Sequence, residues 1–87
     1  MRKRDLLKAA RCLHGRRFLR DVRDVLRYQG IGDAAALVLY ELNYAYWNNI
    51  VSTRKAKRCY HLLGFSFETT RQARARTAFW DDTSPEQ

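Results

Sequence analysis

The sequence predicts an all-α domain, a small bundle of four to five helices, and three observations predict it. Apolar residues recur at intervals of three and four in separate segments, the spacing that lines one face of a helix. Gly15, Gly30, Gly32 and Gly64 fall between those segments and supply the breaks. Hydrophobic residues make up 46 % of the chain and aromatic residues 13 %, enough to fill a core and to exclude disorder over most of the length. Eighty-seven residues suit one domain, expected over 1–80 with an acidic, disordered tail over 81–87. A chain of this size buries only about 60–65 % of its unfolded surface, so stability is modest and a homodimer would add to it.

Each element follows from its own pattern. Residues 4–14 read as an amphipathic helix with Leu6, Leu7, Ala10 and Leu13 inward, interrupted by Gly15. Residues 16–28 form the second helix, on a stripe of Phe18, Leu19, Val22, Val25 and Leu26. Arg17 with Asp21 and Arg20 with Asp24 stand four apart on its wet face, pairs worth about 0.2–0.5 kcal/mol each. Gly30 and Gly32 then make a turn, and Asp33 is the expected N-cap of residues 34–47. That segment is apolar on nearly all sides, which places it at the centre of the domain. Its aromatics, Tyr40, Tyr44, Tyr46 and Trp47, can in principle stack on single-stranded bases. With no Lys or Arg among them, core packing is the better assignment.

Ala56, Cys59, Tyr60 and Leu63 give the next helix one apolar face and leave Arg54, Lys55, Lys57 and Arg58 outside. Gly64 stops that helix by taking the left-handed cap conformation. Ser66 starts another, expected over 66–79, its hydroxyl accepting from a first-turn amide and Glu68 sitting near the positive end of the helix dipole. Leu63, Phe65, Phe67 and Thr69 also alternate, so a strand over 61–70 is the competing pattern. Gly64 and the caps favour the turn.

The run from Cys59 to Arg74 resembles the helix-turn-helix family of DNA-binding proteins, in which a first helix ends Leu-Gly-apolar-Ser, here Leu63-Gly64-Phe65-Ser66. On the family pattern Cys59, Leu63 and Phe65 take inward positions, as do Thr70 and Ala73 on the second helix. Tyr60 stands where the family usually has a small residue. Residues 33–47 are similar, more weakly, to the first helix of winged-helix domains in phage and plasmid regulatory proteins, although no clear wing of two strands follows. The resemblance implies a second helix in the major groove, with Ser66, Phe67, Glu68, Arg71, Gln72 and Ala75 facing bases. It makes double-stranded DNA the expected partner, and a regulator of phage, plasmid or bacterial origin the expected role.

Charge agrees with that expectation. The chain carries 17 Lys and Arg against nine acids, a net charge of +8, with a pI near 10.1. Residues 1–30 hold +7 and residues 51–80 hold +6, while 31–50 hold −2 and the tail −3. Segregated cations are the footprint of a phosphate binder, because neutralising phosphates releases condensed counterions. Arg54, Lys55, Lys57, Arg58, Arg74 and Arg76 are the expected phosphate contacts, with Arg16, Arg17 and Arg20 as a second, N-terminal arm. The same charge suits an acidic surface of a protein or ribonucleoprotein, the alternative partner.

Other chemistry finds little support. Cys12-x-His14 and Cys59-x-His61 repeat a ligand pair, but residues two apart on a helix point about 200° apart and do not aim at one ion. Both cysteines are read as buried and reduced, and neither a metal nor a cofactor is expected. Without a glycine-rich phosphate loop or a catalytic signature, the chain is expected to bind rather than react. Lys8 and Arg11 interrupt the apolar run a signal peptide needs, and Glu41 ends the apolar run of residues 34–40 far short of the ~20 residues that cross a bilayer. A soluble, cytoplasmic protein is the expectation.

Overall fold

The computed structural model describes residues 1–83 as four α-helices: α1 (Lys3–Gln29), α2 (Ile31–Trp47), α3 (Thr53–Leu62) and α4 (Phe67–Thr83). Helix α1 is broken at Gly15, whose backbone leaves helical geometry altogether (φ 81°, ψ −159°). Lys3 and Leu7 share a cleft with Arg23, Leu26 and Arg27, whereas an unbroken helix would hold Lys3 and Arg27 about 36 Å apart. Residues 3–14 and 16–29 are therefore two arms folded back on one another. Gly30 repeats the device between α1 and α2 (φ 99°, ψ 175°). This corner of backbone space is essentially restricted to glycine. Apart from the chain neighbours, no atom lies within 4 Å of where a Cβ would stand on either residue, so backbone geometry, not crowding by the rest of the fold, requires glycine there.

The core lies where the two arms, α2 and α3 meet. Leu6, Ala9, Ala10, Leu13 and Val22 of α1 are buried with Ala34, Val38, Leu42, Ala45 and Tyr46 of α2 and Ala56, Cys59 and Tyr60 of α3. Alanines let the helices approach closely, and the Cys59 thiol reaches the Ala9 carbonyl at 3.9 Å. An aromatic cluster closes the other end. Tyr46 and Tyr60 meet edge to face at 6.1 Å, and the Phe67 ring lies 5.6 Å from Tyr46 and 6.3 Å from Tyr60. The Tyr60 hydroxyl donates to the Asn43 side-chain oxygen at 2.5 Å, so the polar tip of this buried ring is satisfied.

Two helix ends use the same hydrogen-bonded stop. After α3 the Phe65 N–H donates to the Tyr60 carbonyl (2.9 Å) and the Gly64 N–H to that of His61 (3.0 Å). After α2 the Ile50 N–H donates to the Ala45 carbonyl (2.8 Å) and the Asn49 N–H to that of Tyr46 (3.2 Å). Asn49 holds the left-handed position there (φ 59°), which Asn tolerates better than most residues. Ser52 caps α3, its hydroxyl accepting from the Lys55 amide at 3.1 Å.

The all-helical architecture agrees with the sequence, and several details correct it. Residues 61–70 form the end of α3, a turn and the start of α4, not a strand. Gly32 and Asp33 lie inside the first turn of α2, so Gly30 occupies the N-cap and Asp33 is an acid near the helix dipole. Among the expected core aromatics only Tyr46 is buried, while Tyr40, Tyr44 and Trp47 are 69 %, 54 % and 36 % exposed. The reason is helical phase: Ala34, Val38, Leu42 and Ala45 face α1 and α3, and the other three aromatics lie on the opposite side. Neither Arg17–Asp21 nor Arg20–Asp24 forms an ion pair; among the described residues Glu68 pairs with Arg71, and the His14 imidazole lies 3.6 Å from the Glu41 carboxylate. Helix α4 continues to Thr83, beyond the expected end at 79. Of the expected tail, residues 84–87 lie outside the described residues.

Candidate nucleic-acid interface

Burial of Ala56, Cys59 and Tyr60 turns the rest of α3 outward, leaving Arg54, Lys55, Lys57, Arg58 and His61 exposed. Arg54, Lys57, Arg58 and His61 follow helical spacing, so they form one stripe. The turn over 63–66 then brings α4 back toward that stripe. Arg54, Lys57, Arg58 and His61 line a cleft with Phe65, Ser66 and Phe67, and no acidic residue lines it. The stripe thus faces the amino end of α4, where free backbone amides and the helix dipole add positive potential. Ser66 begins α4 through its carbonyl, which accepts from the Thr70 amide (3.2 Å) and hydroxyl (3.1 Å), rather than through the hydroxyl cap expected. His61 was not among the expected contacts, although it stands four residues after Lys57 on the same face.

On α4 the structure divides the expected base-facing residues. Glu68, Arg71, Gln72, Ala75 and Arg76 are exposed and recur at three-and-one spacing along one side, with Ser66 exposed just before them. Phe67 is half-buried, its ring packed on Tyr46 and Tyr60, so it serves the core instead of the outer face. Arg71 forms an ion pair with Glu68 at 3.2 Å, with both side chains nearly two-thirds exposed. Such a pair is weak and opens readily.

Arg74, expected on phosphate, is also occupied within the fold. Its guanidinium donates to the Asn49 side-chain oxygen and lies over the Tyr46 ring, 4.4 Å from the centroid. Arg16, Arg17 and Arg20 are exposed at the start of the second arm of α1, on a different element from the α3–α4 cleft.

The two Cys-x-His pairs separate. Cys12 and Cys59 come together, and burial first, then the Cys12 thiol, push the Cys59 pKa up to about 12. His14 turns instead to Glu41, 3.6 Å away, and to the Phe18 ring, while His61 lines the cationic cleft. Among the described residues no three His, Cys, Asp or Glu side chains gather as a metal site, and no helix is long and apolar enough to cross a membrane. Comparison with known proteins finds no likeness: no family model matches the chain, and neither a curated protein nor a solved structure matches it.

Proposed function

We propose that this protein binds double-stranded DNA through α3 and α4 and acts as a small regulatory factor of the phage, plasmid or bacterial type. The observation that carries this is the cleft in which Arg54, Lys57, Arg58 and His61 face the amino end of α4. A phosphate seated there meets guanidinium, ammonium and free amide donors together; no acid lines the cleft itself, and Glu68 in the first turn of α4 is paired with Arg71. Lys55 and Arg76 flank the same region and extend it along the backbone. The outer face of α4 then lies toward the major groove. Gln72 has the donor and acceptor that match adenine, and Arg71, released from Glu68, has the fork that matches guanine. Ala75 is small enough to let the helix approach closely.

Fluorescence anisotropy with labelled random-sequence duplex DNA, duplex RNA and heparin over a salt series tests this proposal. Tight DNA binding at low salt that weakens steeply as salt rises is the expected result. No DNA binding at low salt, or a preference for duplex RNA, contradicts it. On a selected target, Gln72→Ala should lower discrimination from random DNA by about 1–3 kcal/mol while random binding stays unchanged.

A further inference from the structure

The two arms of α1 enclose a groove that DNA binding by α3 and α4 leaves unused. Leu7 from the first arm and Leu19 and Leu26 from the second form its floor, all three only half-buried. Lys3 and Arg11 stand exposed on one rim, and Arg23 and Arg27 on the other. No acid lines the groove, and none of these four cations has an ion pair among the described residues. Like charges gathered around open leucines repel one another and leave apolar surface in water. An anionic, apolar occupant relieves both.

We propose that this groove docks an acidic amphipathic helix of a partner protein, with apolar side chains seated on Leu7, Leu19 and Leu26 and carboxylates along both rims. The distribution of charge selects this occupant. Cations line both sides and both ends of the groove, whereas a fatty-acid anion with a single head group would need them collected at one end. Length agrees as well: residues 3–11 and 19–27 each span about 12 Å, roughly two helical turns. That matches the i, i+3 or i+4, i+7 anchors by which a helix lies in a groove. Duplex DNA fits less well, since it offers the leucines no apolar surface from its phosphate backbone.

The test uses the full chain and a fluorescent, stapled helical peptide of about four turns, with leucine at i, i+3 and i+7 and glutamate elsewhere. A scrambled peptide of the same composition controls for charge. The aligned peptide is expected to bind saturably and to shift the methyl NMR signals of Leu7, Leu19 and Leu26. Lys3→Glu, Arg23→Glu and Arg27→Glu together should weaken it roughly tenfold or more. Arg54→Glu, Lys57→Glu and Arg58→Glu remove the same charge from the other face and should leave binding within about twofold of wild type, since distant exposed charges are largely screened. Equal binding of the scrambled peptide, equal loss in both triple variants, or displacement of the peptide by duplex DNA would overturn the proposal. So would binding of laurate or anionic phosphatidylglycerol vesicles without binding of the peptide, which would give the groove to a lipid anion.

Discussion

The Arg74 guanidinium lies over the Tyr46 ring, 4.4 Å from its centroid, and donates to the Asn49 side-chain oxygen. One side chain of α4 thereby grips both the last turn of α2 and the residue that ends it. Together with the packing of Phe67 on Tyr46 and Tyr60, this contact helps fix the angle at which the outer face of α4 is presented.

Arg74→Ala is predicted to destabilise the protein by about 1–2 kcal/mol, the scale of a partly desolvated cation–π contact with a hydrogen bond. Urea denaturation checks the size, and amide exchange along α4 checks the place. An arginine that only held phosphate would instead leave stability unchanged and reduce the salt slope of DNA binding by about one.

Gly15→Ala and Gly30→Ala should each destabilise by about 1–3 kcal/mol, because alanine does not adopt their backbone geometry without strain. With nothing beyond the chain neighbours within 4 Å of the added methyl, crowding by the rest of the fold contributes nothing and the cost is local backbone strain. Gly32→Ala is the control, since Gly32 sits in the first turn of α2 without positive φ. It should be neutral or stabilise by up to about 1 kcal/mol. Similar losses at all three positions in thermal melts would refute the proposed arm geometry.

Tyr60→Ala is predicted to cost about 3–5 kcal/mol, enough to unfold much of so small a domain. Tyr44→Ala, on the outer side of α2, should stay within about 0.5 kcal/mol of wild type. Paired melting curves distinguish these two sides of the aromatic segment directly.

How much of this was legible in the sequence depends on how sharply each segment separates its apolar and polar faces. Residues 54–63 alternate cations with Ala56, Cys59 and Tyr60, so the face of α3 and its glycine stop could be placed from spacing alone. Residues 34–47 carry too few charges to show which side turns inward, so their pattern does not separate buried Tyr46 from Tyr40, Tyr44 and Trp47 on the outer side. The inward turn of Phe67 and the capture of Arg74 were not legible, because Phe67 depends on Tyr46 and Tyr60, and Arg74 on Tyr46 and Asn49, all supplied by other parts of the chain. Gly15 was visible as a break, but its depth was not: a kink and a full reversal leave the same residue in the sequence.

Alkaline pH should weaken the fold. Burial pushes the Cys59 thiol from 9.0 up to about 12 and the Tyr60 hydroxyl from 10.0 up to about 12, so the folded state holds both protons longer than the unfolded chain does. Their contribution is complete below pH 9, falls as the unfolded chain loses protons above that, and is gone once pH passes the folded values near 12. Urea midpoints should therefore hold steady from pH 7 to about 9 and then decline, and Cys59→Ala should delay the onset toward about pH 10. A midpoint that rose over this range would refute burial of the two groups.

The cationic cleft is tested most directly by the salt dependence of duplex DNA binding in the variant carrying Arg54→Gln, Lys57→Gln and Arg58→Gln. These three residues are exposed, so the helical circular-dichroism spectrum should be retained. Loss of three phosphate contacts predicts that the slope of log affinity against log salt falls in magnitude by about three. A slope equal to that of the wild-type protein would contradict the assignment of α3 and the start of α4 as the DNA-binding face.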